Sequence, residues 1–285
     1  MNVYITIEQL KTYLAIDDTG DDNLLKQFCV KASRLFDGYC HRRFYPTVAT
    51  YNFDYQDPFT LVLDEDLLAV TTLTTSNDSG SGSAITSAQY NLTRGGGHNR
   101  SPYTTIEIDQ STTANFSFYT TPRKSQQVIG TWGFHDDWSN AWIDSGDTVQ
   151  DGSGINSSVT AVTVANPNGA DVNGITPRLT PQQLIKVNSE YMHVVKISGA
   201  ALTVKRGVNG STAASHSNGD TISVYQPMWD VVAAMEVLAS YQYRRRTGVG
   251  TDADRPLATS DGVLILPSRL PDEVKSLLKR YRRVI

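Results

Sequence analysis

The stretch Leu24–Tyr55, LLKQFCVKASRLFDGYCHRRFYPTVATYNFDY, changes its hydrophobic period half-way along. Leu24, Leu25, Phe28, Ala32, Leu35, Phe36 and Tyr39 recur at three- and four-residue spacing, which gathers them on one face of a helix. Asp21 and Asp22 stand where a helix N-terminus favours negative charge. After Arg42-Arg43-Phe44-Tyr45-Pro46 the composition turns to Val, Thr, Tyr and Phe, and Ala49–Tyr55 predicts a strand. One passage therefore predicts a helix feeding a β region, a chain of mixed class.

Toward the N-terminus, Thr6 and Gln9 have the spacing of a capping box, with Leu10, Tyr13 and Leu14 on one face of a short helix. The acidic turn Asp17-Asp18-Thr19-Gly20-Asp21-Asp22 separates the two helices and reads as a solvated cap, since the further ligands of a calcium loop are missing. Toward the C-terminus, short strands are predicted at Leu61–Leu63, Val70–Thr75, Tyr90–Leu92, Thr105–Asp109, Asn115–Tyr119 and Gln127–Trp132. Asp78–Ser83 reads as a loop tip and Gly95–Gly97 as a break. A second β-rich block runs from about Asp144 to Tyr225, with strands at Ser158–Val164, Leu184–Val187, Tyr191–Ile197, Ala201–Arg206 and Thr221–Tyr225. Asn209-Gly210 and Ser198-Gly199 supply positive-φ turn positions, so an antiparallel meander is expected.

Helical spacing returns at Pro227, with Met228, Val231, Val232, Met235, Leu238 and Ala239 in one stripe and Arg244-Arg245-Arg246 at the negative end of the dipole. Thr251–Ser260 is polar and aperiodic. A last helix starts near Pro271 and carries Leu270, Val274, Leu277, Leu278 and Tyr281 on one face.

With 285 residues, two folded units or one interrupted unit is the natural expectation. Hydrophobic residues at 39% and charged residues at 19% exclude wholesale disorder, and a net charge of −4 gives no sign of a nucleic-acid coat. No apolar run reaches the roughly 18–20 residues that cross a bilayer, and the N-terminus has no basic start or apolar core of a secretion signal. The acceptor patterns at Asn91 and Asn156 are accordingly expected to stay unglycosylated. Cys29 and Cys40 read as small buried residues rather than a disulfide or a metal site.

No catalytic pattern emerges. His41, His98, His135, His193 and His216 form no zinc-type spacing, and neither a phosphate loop nor a nucleophile elbow is present. His135-Asp136-Asp137, beside Trp132, Trp138 and Trp142, is the most suggestive cluster. A polar junction is favoured there over a metal or sugar site. No cofactor or metal and no enzyme activity is expected.

The run Asp37-Gly38-Tyr39-Cys40-His41-Arg42-Arg43-Phe44 resembles the Gly-Tyr-x-x-Arg-x-Phe-like end of helix two in tailed-bacteriophage head–tail connector (adaptor) proteins. Leu270-Pro271-Asp272-Glu273-Val274-Lys275-Ser276-Leu277-Leu278 and Tyr281-Arg282-Arg283 are similar to that family's closing helix. Val128–Phe134 looks like the strand that leads into its third helix. The likeness covers 1 to about 134 and 227–285, and the intervening block departs from it. Its stretch through Ser189-Glu190, Arg206-Gly207-Val208-Asn209-Gly210-Ser211 is similar to small β modules of phage virion proteins.

The expected fold is thus α+β: a helical core domain with β-strands (1–137 and 227–285) plus an inserted antiparallel all-β domain (138–226). The resemblance implies a structural protein of the virion neck, present in the host cytoplasm during assembly. It further implies a homo-oligomeric ring, commonly a dodecamer, between the portal protein and tail-side neck or terminator proteins, with DNA only as passing cargo and no membrane. Tyr281, Arg282, Arg283, Val284 and Ile285 form a basic, apolar-tipped segment expected to dock on the portal or a neighbour. Asp17, Asp18, Asp21, Asp22, Asp64, Glu65 and Asp66 are candidates for a channel face that repels phosphate during DNA ejection. The alternative is a tail or baseplate module that recognises host surface glycans through its tryptophans.

Overall fold

The computed structural model describes residues 2–94, 99–247, 257–258, 264–265 and 270–283. Helix α1 (Ile7–Leu14) is started by the capping box: the Thr6 hydroxyl accepts from the Gln9 N–H at 3.3 Å and the Gln9 amide oxygen from the Thr6 N–H at 2.9 Å. It buries Ile7, Leu10 and the stem of Lys11, whereas Tyr13 lies exposed, so the apolar face is rotated from the expected one. Helix α2 (Asp22–Cys40) buries Leu25, Phe28, Cys29, Ala32, Ser33, Phe36 and Cys40 and ends at His41 in the left-handed conformation. Both cysteines are free and fully buried.

The first sheet contains β1 (Thr47–Phe53), β2 (Thr60–Thr75), β3 (Ser83–Ile85), β4 (Tyr90–Thr93), β5 (Tyr103–Ile108) and β6 (Gln126–Trp132). Its order is β1-β6-β2-β5-β4, with β3 on β2, and every pairing is antiparallel. Two expected strands, Leu61–Leu63 and Val70–Thr75, are the halves of β2. The acidic triplet between them is a bulge, across which the register against β5 jumps from Val62 to Leu67. Asn115–Tyr119 is not a strand. Its backbone binds elsewhere, the Phe116 N–H to Pro58 and the Ser117 N–H to the Thr75 hydroxyl, so no ladder forms. Ser83, expected in a loop, begins β3.

The second sheet contains β7 (Trp142–Thr148), β8 (Ala161–Thr163), β9 (Leu184–Val187), β10 (Glu190–Ser198), β11 (Ala201–Lys205) and β12 (Thr221–Tyr225). All of its pairs are antiparallel, but the order β7-β12-β9-β10-β11-β8 is not a meander, because β12 inserts between β7 and β9. Beyond the ends of the edge strands, the Gln150 N–H reaches Thr163 O at 2.8 Å and the Asp151 carboxylate takes the Thr163 N–H and hydroxyl. The sheet therefore curls around Val162, Ile185, Val187, Met192, Val194, Leu202 and Ile222.

Helix α3 (Trp229–Thr247) buries Val231, Val232, Met235, Leu238 and Ala239, and Met228 just before it is buried too, as the stripe predicts. A short pair, β13 (Leu257–Ala258) and β14 (Leu264–Ile265), falls in and after the segment expected to be aperiodic. Helix α4 (Asp272–Tyr281) buries Val274, Leu278 and Tyr281. All four α-helices share one core with Phe44 and Phe134. Among the described residues the architecture is mixed α+β, four α-helices with two antiparallel sheets of six strands and the short β13–β14 pair. No described helix is long and apolar enough to cross a membrane.

Candidate docking surfaces

The start of the C-terminal segment is anchored on the helical core. Tyr281 is buried against Phe44 and Phe134, with ring centroids 5.7 and 5.4 Å away. Its hydroxyl donates to Asp230; burial and that carboxylate push its pKa up. The Arg283 N–H donates to Cys40 O at 2.9 Å and its guanidinium to Leu63 O at 3.3 Å, while Arg282 is exposed. Of the five residues expected to dock, Tyr281 is therefore a core residue. Val284 and Ile285 lie outside the described residues.

The seven candidate channel acids differ in exposure and pairing. Asp17 and Asp18 are exposed, Asp21 accepts from the Tyr243 hydroxyl at 2.6 Å and Asp22 pairs with Lys11 at 3.0 Å. Asp64 is exposed and Glu65 half-buried. Asp66 is 3% exposed and paired with Arg42, which removes it from any lumen. Its burial follows from the bulge in β2, which turns this carboxylate inward onto Arg42.

Beyond the C-terminal end of α2 lies a cleft of about 290 Å³ lined by Arg42, Arg94, Arg100, Phe134, Asp136, Arg280 and Tyr281. The guanidinium carbons of Arg42 and Arg94 stand 4.7 and 5.3 Å from the centre of the Phe134 ring, within cation–π range. Burial, and then repulsion from Arg100 and Arg42, lowers the Arg94 pKa. No sequence pattern links these arginines, because Arg42, Arg94 and Arg280 meet only through the packing of α2, β4 and α4.

The His135 cluster is a junction. His135 Nε2 lies 3.0 Å from Gln226 O, its Nδ1 receives the Asp137 N–H at 3.1 Å, and burial lowers its pKa. Trp132 is buried and donates to Ala49 O at 3.0 Å, and Trp142 stacks on Tyr191 at 5.2 Å under Lys186. These two rings are engaged in packing, whereas Trp229, 72% exposed, lines the pocket beside His135. Among the described residues, no three His, Cys, Asp or Glu side chains are placed to hold a metal ion.

The loop after β11 fastens the second sheet to the first. Glu190, fully buried, takes Arg206 in a two-pronged pair, Nε to Oε1 and Nη2 to Oε2, both at 2.7 Å. It also accepts from the N–H groups of Gly207 and Ala214, and His216 Nε2 lies 2.8 Å away. The loop so held carries Asn209, whose carbonyl accepts the Val48 N–H at 2.8 Å and whose amide donates to Pro46 O at 3.0 Å. Gly210 sits at φ +76°, and a Cβ there would collide with the Val48 carbonyl. Further bonds join the two parts, from Tyr225 Oη to Phe44 O at 2.7 Å and from the Ile7 N–H to Gln182 Oε1 at 2.9 Å. Gly210→Ala is expected to lift the loop off β1 while both sheets stay folded. Faster amide exchange confined to 46–48 and 207–213 would register this; unchanged protection there would refute it.

Residues 4–92 match the family model described as phage gp6-like head-tail connector protein. The match spans α1, α2 and the first sheet through β4. A comparison with curated proteins finds no match. By its matched segment, the chain is similar to the phage gp6-like head-tail connector family, which supports a structural connector role in a bacteriophage.

Proposed function

We propose that the chain is a structural subunit of the neck of a tailed phage, forming a ring between the portal and the tail through which DNA passes. The observation that carries this reading is the connector-family match over residues 4–92. The packing supports it: α3 and α4, outside the matched segment, complete the core that α1 and α2 begin. The natural division is a core of 1–137 and 227–285 with an inserted unit of 138–226. Phe134 and Met228, on either side of that unit, meet in the helical core, and the Gln226 N–H returns to Ala141 O at 2.8 Å. On this reading the chain acts through its interfaces, and no catalytic step is assigned to it.

The helices would form the ring wall and the segment after α4 would meet the portal or a neighbour. Tyr281 anchors the start of that segment and Arg282 is exposed, so removal of 282–285 should spare the fold and weaken attachment. Negative-stain microscopy of particles made with this truncation should show filled heads separated from tails. Normal heads joined to tails would sink the docking role of the segment. Wild-type chain found at the tail tip rather than the neck would sink the connector reading itself.

A further inference from the structure

The arginine cleft is short of negative charge. Arg42 is paired with Asp66, and Arg280 lies 3.8 Å from Asp230, but Arg94 and Arg100 have no acidic partner within 4 Å among the described residues. The Arg42 Nε is buried without a hydrogen-bond partner. Asp136 is the one carboxylate lining the cleft. An oxyanion entering here would meet two guanidinium groups without an acidic partner, Arg94 beside the Phe134 ring with one nitrogen 3.5 Å from Ser101 O, and exposed Arg100, each group able to grip a carboxylate.

The other half of a contact stands at the opposite end of the same helices. Helices α2 and α3 run antiparallel: Tyr243 near the end of α3 reaches Asp21 at the head of α2, whereas Asp230 at the start of α3 meets Tyr281 beside the cleft. The turn before α2 exposes Asp17 and Asp18, neither of which pairs with a cation within 4 Å among the described residues, although Arg244–Arg246 share that end. The 19 residues of α2 put roughly 28 Å between turn and cleft, too far for one chain to join them. Complementary patches at opposite ends of a subunit generate a head-to-tail contact, which closes into a ring or runs on as a filament. A nucleic-acid phosphate is the poorer occupant, because the cleft is small and carries Asp136.

We propose that the Arg94–Arg100 cleft receives the carboxylates of Asp17 and Asp18 from a second copy of the chain. The inference rests on the ring reading above and names its contact. The test is charge reversal read by native mass spectrometry. Arg94→Glu with Arg100→Glu, and separately Asp17→Arg with Asp18→Arg, should each weaken self-association by at least about tenfold. An equimolar mixture of the two variants should restore it, since each then meets an opposite charge, and the restoration also shows that both are folded. Association that ignores either reversal, or a mixture that fails to recover, overturns this contact while leaving a ring possible by other surfaces. Loss of duplex-DNA binding with unchanged association would make the cleft a phosphate site and overturn the proposal. In particles, Asp18→Cys with Arg100→Cys should give disulfide-linked ladders of copies. Absence of ladders from particles that hold the chain at the neck overturns the contact. Absence of the chain from the neck overturns the ring reading as well.

Discussion

Glu190→Ala is expected to destabilise the second sheet by roughly 3–5 kcal/mol, the usual cost of removing one member of a buried ion pair. The carboxylate is fully buried and takes five hydrogen bonds, two from Arg206, two from backbone N–H groups and one shared with His216. Alanine leaves the Arg206 charge desolvated, with only the carbonyls of Asn156, Val159 and Ala214 around it. Burial by itself would raise the Glu190 pKa, but the bonds from Arg206, Ala214, His216 and Gly207 outweigh it and bring it to about 2. The folded value is below the ordinary glutamate range near ~4.3, so the carboxylate's contribution is complete above that pH and is lost as pH falls toward 2. Urea titrations should show the wild-type advantage over Glu190→Ala shrinking across that window and constant above it. A difference below about 1 kcal/mol at neutral pH would show that the network positions the loop without stabilising it. Arg206→Met added to Glu190→Ala should cost less than the sum of the two single changes, because the stranded charge is gone.

That network also marks the boundary of what the residues reveal on their own. The stretch around Glu190 and Arg206 stood out by its likeness to phage β modules, yet nothing local ties position 190 to 206 and 216. The tie is made by the pairing of β10 with β11 and the return of the loop. Helices were legible because their signals are local: the Thr6–Gln9 box, the Phe28–Ala32–Phe36 stripe and Met228–Ala239 all appear as spaced. Strands Leu184–Val187 and Thr221–Tyr225 are recovered to the residue, each being apolar and bounded by turn formers. No strand is predicted at Trp142–Thr148, since Asp144, Gly146 and Asp147 are poor strand formers, and only pairing with β12 makes it one. Asp66, a channel-face candidate from its neighbours Asp64 and Glu65, is drawn inward by Arg42, twenty-four residues earlier. The basic C-terminal run and the acidic turn were legible as charge patterns. The arginine cleft was not, since its members come from both ends of the chain and from the first sheet.

Phe44→Ala should be the most damaging single change in the helical core, at roughly 3–5 kcal/mol for a buried Phe that leaves an uncollapsed cavity. Phe44 is 1% exposed and its ring touches those of Tyr4, Phe36, Phe134 and Tyr281 at centroid distances between 4.9 and 5.9 Å. Its backbone is held as well, the N–H by the Tyr4 hydroxyl at 2.9 Å and the carbonyl by the Tyr225 hydroxyl. Those neighbours come from the N-terminal segment, α2, the stretch after β6, and α4. One ring therefore joins the pieces that the second sheet separates in sequence. Its loss should be felt first by α4, whose Tyr281 loses an edge-to-face partner and is left with Phe134 and the bond to Asp230. Limited proteolysis should then cut between α3 and α4 well before the second sheet is attacked. Phe44→Leu, which refills most of the volume without the ring edges, should recover over half of the loss. Equal damage from the two variants would mean that the aromatic geometry, not the filled volume, holds the core together, and intact α4 in both would remove Phe44 from its role as the link.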